Sequence, residues 1–165
     1  MKASEAKRIL HVAKRIQMIC PAPSKKHELE HKELFDQMVT EPELVECCRQ
    51  LFIDGYYAHA VLEAFKCLNN FIKDKTKSDG DGSLLMQSVF DEKKPKLKIN
   101  GLSNLSKQSQ QAEQRGYMQI FAGCMAGIRN PRAHEHKLED PPDVALEMTA
   151  LANHLMRKAK MAGKP

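Results

Sequence analysis

The sequence predicts an all-α protein, a helical bundle with an N-terminal helical extension. The composition favours Leu, Met, Ala, Lys, Glu and Gln, which form helices readily, and aromatic residues make up only 5%. Several stretches carry apolar residues three and four positions apart, the spacing of one helix face. With 165 residues, of which 42% are hydrophobic, the chain is long enough for one core. We place the extension at residues 1–50 and the helical domain at residues 51–162.

The predicted extension contains helices separated by clear breaks. The first covers residues 2–19, with an apolar arc and a basic face, and the proline-rich residues 20–24 interrupt the chain after it. A second helix follows over residues 26–39. Pro42 opens a third, because the first turn of a helix accommodates proline. The break at 20–24 can act as a hinge between an N-terminal hairpin and the main body.

The predicted domain begins after a turn at Asp54-Gly55. The most regular apolar spacing runs from Tyr56 to about Lys75, which predicts a central core helix. A polar loop at residues 78–83 then leads to a short helix, Leu84 to Phe90. The lysine-rich residues 91–106 predict an irregular surface segment with a short hairpin at residues 96–99.

A long helix is predicted over residues 107–128, followed later by a final helix. Glycine inside a helix costs roughly 1 kcal/mol relative to alanine, so a stripe of small residues predicts close approach by another helix or backbone. That stripe consists of Gly116, Ala122, Gly123, Ala126 and Gly127. The final helix starts with Asp140 as its N-cap, has proline in its first turn, and runs to about Lys160 before a frayed tail at residues 163–165.

The charge and the cysteine content indicate in which cellular compartment the protein acts and what kind of partner it can bind. The net charge of +5 and the pI near 8.9 are compatible with a polyanionic partner without establishing one. Residues 2–20 alternate charged and apolar side chains, which speaks against a signal peptide or a membrane span. We therefore expect a cytoplasmic protein without membrane association. The cysteines form no CxxC pair and predict reduced, packed thiols: Cys20, Cys47, Cys48, Cys67 and Cys124.

Two patterns resemble metal sites, and neither has the context that a metal site needs. His27-Glu28-Leu29-Glu30-His31 matches the HExxH pattern of zinc peptidases, yet no downstream Gly-x-x-His supplies a third ligand. An exposed charged helical turn is the favoured interpretation. A calcium loop at residues 78–83 is excluded because apolar residues 84–86 occupy the later ligand positions. We expect no metal and no cofactor.

The segment Arg129-Asn130-Pro131-Arg132-Ala133-His134 lies between two long predicted helices and concentrates groups that can act on a phosphate. Because proline lacks an amide hydrogen and disfavours the α region in the residue before it, we expect a helix–helix corner here, with Asn130 outside the α region. His134 can exchange protons near neutral pH. Arg129 suits a phosphate that gains charge, and Asn130 can donate to its oxygen or orient the histidine. Cations near a helix end also occur for dipole reasons alone.

These groups fit RNA cleavage. In-line attack by a ribose 2′-oxygen leaves a 2′,3′-cyclic phosphate and a 5′-hydroxyl and requires no metal, and DNA lacks this nucleophile. The scarcity of aromatic residues disfavours a stacking platform for single strands, so we expect mainly electrostatic, salt-sensitive affinity. Further candidates for RNA contact are Arg132, His136, Lys66 and Lys137.

The order and spacing of several segments resemble a known superfamily. Arg129-Asn130-x-x-x-His134 is similar to the RNxxxH signature of HEPN domains, the α-helical "higher eukaryotes and prokaryotes nucleotide-binding" group. More closely, residues from about 55 to 158 resemble the Ymh-type bacterial branch. The segments that carry this resemblance are residues 55–66, 81–86, 113–116 and 121–135.

The resemblance implies an HEPN-like bundle that forms a homodimer, with both RNxxxH segments facing each other in a composite active site. It implies a metal-independent endoribonuclease with Arg129, Asn130 and His134 as catalytic residues. Such proteins serve as toxins or in antiviral defence, which implies an antitoxin or a defence-system partner. Glu63 and Lys66 are the nearest match to an acidic-then-basic pair of many members. The alternative is a catalytically inactive HEPN module that binds a nucleotide or a protein.

Overall fold

The computed structural model describes residues 25–99, 107–135 and 137–164. Within these ranges the chain is helical and contains no extended strand, which confirms the all-α class. None of the described helices has both the length and the apolar sequence needed to cross a bilayer. The helices are α1 (Lys25–Met38), α2 (Pro42–Ile53), α3 (Tyr57–Thr76), α4 (Gly82–Val89), α5 (Gln108–Cys124), α6 (Asn130–His134) and α7 (Pro142–Met161), with a π-helical turn at Met125–Arg129 between α5 and α6.

The helices predicted from residue 26 onward are confirmed to within a few residues, except where the long helix ends. Four parts of the prediction lie outside the described residues: the helix at residues 2–19, the break at residues 20–24, residues 100–106 of the surface segment, and His136.

Helix α3 is the centre of the bundle. It packs against α2 and α7, and it also contacts the π turn and α6. Three-and-four spacing places its apolar side chains on one continuous face, as the sequence predicted. The buried residues of α3 are Ala60, Val61, Ala64, Phe65, Leu68, Asn69 and Ile72. The position of the Arg129 to His134 segment is therefore fixed by contact with the central core helix.

Helices α1 and α2 pack their apolar side chains into the same hydrophobic core as the other helices. The rings of Phe35 and Phe52 lie 4.7 Å apart between centroids, and both side chains are buried. Asn153 on α7 accepts hydrogen bonds from the backbone amides of Thr40 and Glu41, each at 2.9 Å, at the corner between α1 and α2. The predicted boundary at residue 50 falls within α2, and the division into an extension and a domain stays a prediction.

The segment between α4 and α5 is anchored by a buried glutamine. The amide nitrogen of Gln114 donates to the carbonyls of Phe90 at 3.0 Å and Leu97 at 2.9 Å, and its oxygen accepts from the amide of Ile99 at 2.9 Å. Leu97 and Ile99 are themselves buried. The prediction of a surface segment is therefore wrong at these residues, because a core glutamine satisfies backbone groups that no sheet pairs.

The C-terminal end of α7 is tied down on two sides. Lys98 and Gly163 form an isolated antiparallel bridge, with N–H···O distances of 2.8 and 3.0 Å. This pairing replaces the hairpin predicted at residues 96–99 and shows that the tail is not frayed at Gly163. The ammonium group of Lys75 caps the helix, donating at 2.8 Å to three carbonyls: those of Ala159, Lys160 and Ala162.

Candidate active site along the Arg129 to His134 segment

The backbone reaches the segment through a π turn, not through a corner. The amide of Asn130 donates to the carbonyl of Met125, five residues earlier, and Asn130 has α-helical angles of φ −64° and ψ −44°. The expectation that Pro131 forces Asn130 out of the α region is therefore wrong. The π turn changes the hydrogen-bond register just before Pro131, so a residue without an amide hydrogen fits within a helical path. The chain leaves the helix only at Glu135, whose backbone is extended.

Arg129 is held loosely on the surface of this turn. Its guanidinium donates to the side-chain oxygen of Asn130 at 3.1 Å, and it pairs with a carboxylate oxygen of Asp81 at 3.4 Å. The side chain is 21% exposed. Its Nε–H is buried and has no hydrogen-bond partner among the residues that the structure describes. Arg129 is thus positioned near the surface while part of its hydrogen-bonding capacity is unused.

Asp81 is a site residue that the sequence reasoning missed. It immediately precedes α4, and its other carboxylate oxygen accepts a 2.7 Å hydrogen bond from the side-chain amide of Asn69. Asn69 is 2% exposed, and its oxygen accepts from the backbone amide of Gly82 at 2.9 Å. A buried asparagine of the core helix therefore fixes the carboxylate that faces Arg129.

His134 is the last residue of α6 and is exposed. In the described part of the chain, no hydrogen bond or ion pair reaches its ring. Asn130 lies one helical turn before it, so these two side chains share a face. Five residues separate Arg129 from His134, which corresponds to about 140° around an ideal helix. In the described chain no hydrogen bond joins the guanidinium of Arg129 to the imidazole of His134.

Arg132 takes a structural position instead of the predicted RNA contact. Its guanidinium forms a two-pronged pair with Asp140 at 2.7 and 2.6 Å, and its third nitrogen donates to the carbonyl of Ile128 at 2.8 Å. The side chains of Arg132 and Asp140 are only 6% and 7% exposed. Asp140 therefore does not cap α7 as predicted; Pro141 holds that position. We assign Arg132 to the stability of the fold and not to substrate binding.

Glu63 and Lys66 lie in a different place from the RNxxxH segment. They form an ion pair of 2.7 Å, with both side chains more than a third exposed. Both line a cavity of about 450 Å³ whose other walls include Cys47 and Cys67. No residue of the RNxxxH segment lines this cavity, so the structure does not join the acidic-then-basic pair to Arg129 or His134.

The described residues contain no group of three or more His, Cys, Asp and Glu side chains that could hold a metal ion. The HExxH pattern falls in α1, and the side chains of its first three residues lie outside the described part. The described cysteines are free. Burial raises the pKa of Cys124 to about 11, as expected for a thiol packed as a small apolar residue.

Fold and site together define a class: an all-α bundle that carries an Arg-Asn pair and an exposed histidine along one interrupted helix. The family model described as Protein of unknown function (Hypoth_ymh) matches residues 38–159. Because the match covers most of the chain, the protein belongs to this family. No curated protein and no solved structure matches the chain. The resemblance to Ymh-type proteins is confirmed, and the family description assigns neither an activity nor a superfamily.

Proposed function

We propose that the protein is a metal-independent endoribonuclease of the HEPN type. It cleaves RNA by attack of the ribose 2′-hydroxyl and leaves 2′,3′-cyclic phosphate and 5′-hydroxyl ends. His134 acts as general base or acid, Arg129 stabilises the charge on the phosphate, and Asn130 donates to a phosphate oxygen or orients the histidine. The nucleophile belongs to the substrate, so this chemistry needs no metal.

The observation that carries this proposal is the contrast between two arginines of one short segment. Arg132 has every guanidinium nitrogen hydrogen-bonded and is 6% exposed. Arg129 has one 3.1 Å hydrogen bond, one 3.4 Å ion pair and an unpartnered Nε–H. The terminal nitrogens of Arg129 make only these two longer contacts, so the guanidinium can exchange them for a two-pronged pair with a phosphate. The exposed ring of His134 stands on the same interrupted helix.

Asp81 is the positioning residue in this scheme. A carboxylate oxygen of Asp81 lies 3.4 Å from the guanidinium of Arg129, which is long for an ion pair of this kind. The carboxylate therefore competes only weakly with a phosphate for Arg129. Because Asn69 holds Asp81 in place, the guanidinium is oriented before a substrate arrives. Binding of RNA then exchanges a weak contact for a strong one.

A second copy of the chain completes the proposed site. Side chains about 140° apart on one helix do not converge on one phosphate, whereas two facing copies present the arginine of one to the histidine of the other. Of the small residues predicted to permit close approach, Ala122 is buried in the core of the subunit. The glycines are different, because a methyl group added at Gly116, Gly123 or Gly127 would meet no heavy atom of the described residues within 4 Å. Gly123 and Gly127 are exposed, and Ile120 beside them is 45% exposed.

The biological setting belongs to the same proposal and rests on the resemblance. The ribonuclease would act in the cytoplasm as a toxin or as an effector of antiviral defence. A partner, either an antitoxin or another component of a defence system, would control it.

Incubation of the purified full-length chain with assorted RNAs in EDTA tests the activity, with analysis of both product ends. We expect cyclic-phosphate products, and a loss of at least about a hundredfold in rate for His134→Ala and for Arg129→Ala. Arg115→Ala and His31→Ala are matched controls, and His31→Ala also removes half of the HExxH pair. Intact RNA, or undiminished cleavage by His134→Ala, would contradict the proposal; nucleotide binding without cleavage would favour the inactive-module alternative.

A mixing experiment tests the composite site. Arg129→Ala and His134→Ala are each inactive alone, but a mixed dimer keeps one arginine and one histidine that face each other. Random exchange of subunits is expected to restore up to about a quarter of the parental activity. Gly127→Leu is expected to give a folded, inactive monomer by sedimentation analysis. No recovery on mixing, or a monomeric active parent, would contradict the two-copy site.

A further inference from the structure

A groove runs along the N-terminal end of α3 and ends beside α6. Two adjoining cavities, of about 560 and 230 Å³, meet at His59. In the larger cavity, residues 55–59 form one wall and residues 137–140 form the other. Both chain neighbours of His134 line the smaller cavity. The smaller cavity therefore lies beside the chain neighbours of the proposed catalytic histidine, although His134 does not itself line it. The size of the groove is within the roughly 300–1,000 Å³ typical of small-ligand sites.

The two walls of the larger cavity differ in chemistry. On the α3 wall, Tyr56 is 59% exposed, and its ring lies edge-on to that of His59 with centroids 6.3 Å apart. On the opposite wall, Glu139 and Lys137 are exposed, and the structure gives neither of them a hydrogen bond or ion pair with any described residue. Asp140 is already bonded to Arg132. The groove thus offers an aromatic surface on one side and a free carboxylate on the other.

These groups do not suit a phosphate. Glu135 in the smaller cavity is a second exposed carboxylate, against the single exposed cation Lys137. The flat and uncharged body of a nucleobase fits better, because bases of single-stranded RNA stack on tyrosine or histidine and expose their Watson–Crick edges to hydrogen bonding.

The carboxylate selects among the bases. The Watson–Crick edge of guanine presents adjacent N1–H and N2–H donors, which match the two oxygens of a carboxylate. Adenine, cytosine and uracil each place an acceptor beside their donor, and that acceptor would face a negatively charged oxygen.

We propose that this groove binds a guanine base of the RNA next to the cleaved phosphate. Tyr56 and His59 contact the face of the base, and Glu139 accepts hydrogen bonds from its edge. This inference rests on the proposed ribonuclease function and names the sequence preference of that same site.

Calorimetry with the full-length chain and guanosine, adenosine and inosine 3′-monophosphates tests it directly. Guanosine monophosphate is expected to bind at least about tenfold more tightly than adenosine monophosphate, with inosine monophosphate between them. Glu139→Gln is expected to remove the preference, and Tyr56→Ala to weaken binding while Tyr56→Phe retains it. Glu147→Gln, on the exposed side of α7, is the matched control. Equal affinities, or a preference that survives Glu139→Gln, would overturn the inference.

Mapping of cleavage positions separates this inference from the ribonuclease itself. Cleavage adjacent to guanosine that becomes sequence-independent in Glu139→Gln supports both. Cleavage without any guanosine preference refutes the guanine site and leaves the ribonuclease standing. Guanine-selective binding without cleavage supports the site and refutes the ribonuclease.

Discussion

The ion pair between Arg132 and Asp140 gives the sharpest test of whether Arg132 stabilises the fold while Arg129 is left to bind a phosphate. Asp140→Ala removes the carboxylate from a guanidinium that is 6% exposed and leaves it bonded only to the carbonyl of Ile128. Removing one partner of a buried ion pair costs about 3–5 kcal/mol. For a chain of 165 residues, each kcal/mol corresponds to about 2–4 °C, so the melting temperature should fall by about 6–20 °C.

Thermal unfolding followed by circular dichroism measures this change, with Arg129→Ala as the matched control. Arg129 makes two longer contacts on a side chain that is 21% exposed, and such pairs contribute about 0–1 kcal/mol. A double variant, Arg132→Met with Asp140→Leu, should recover much of the loss, because no buried charge then lacks a partner. The reasoning is refuted if Asp140→Ala melts within about 2 °C of the parent, or if Arg129→Ala is the more destabilising change.

Three further outcomes follow from contacts elsewhere in the bundle. Gln114→Leu should lower the free energy of unfolding in urea by roughly 2–4 kcal/mol, since three buried backbone groups lose their partner, whereas Gln119→Leu on the exposed side should not. In the monomeric Gly127→Leu background, Gly123→Ala should raise the melting temperature by about 2–4 °C, because the methyl group meets no atom of the described residues and alanine favours the helix; a fall in that background would show that the glycine is needed within the subunit. The hydrogen bond from Lys160 lowers the pKa of Glu43, so the pair stabilises the fold above the unfolded pKa of that carboxyl and ceases to do so as the pH falls. The difference in melting temperature between the parent and Glu43→Gln should therefore shrink between about pH 6 and pH 3. A difference that grows as the pH falls would contradict the assigned direction of the pKa shift.

The helices were predictable because their signals are local. Three-and-four apolar spacing marks α3, Pro42 and Pro142 mark the starts of two helices, and Gly55, with a φ of +83°, occupies the turn that Asp54-Gly55 predicted. The buried segment before α5 was not predictable from such signals. Its backbone is satisfied by Gln114, a polar residue that a helix pattern assigns to the surface as readily as to the core.

The sequence indicates the residue types of the candidate site but not the geometry in which they lie. Nothing local distinguishes Arg129 from Arg132, because their different roles come from Asp81 and Asp140, which are brought to them by the fold. The π turn was also hidden, since a change of hydrogen-bond register leaves no mark in composition or spacing. In the sequence, Pro131 indicates a break in the helix, whereas in the structure the register change allows the helix to continue past this proline.

The stability of the fold does not explain why the buried Nε–H of Arg129 lacks a hydrogen-bond partner among the described residues. A buried donor without an acceptor costs about 1–3 kcal/mol, and a leucine or methionine at this position would remove that cost. A π turn is likewise uncommon in a helix that only has to fold, and such turns are frequent at functional sites. The two irregularities coincide, because Arg129 is the last residue of the π turn, next to Asn130 and five positions before the exposed His134. Destabilising features that coincide in this way are expected where a site, and not the core, sets the requirement, which is why the loosely held arginine carries the functional proposal.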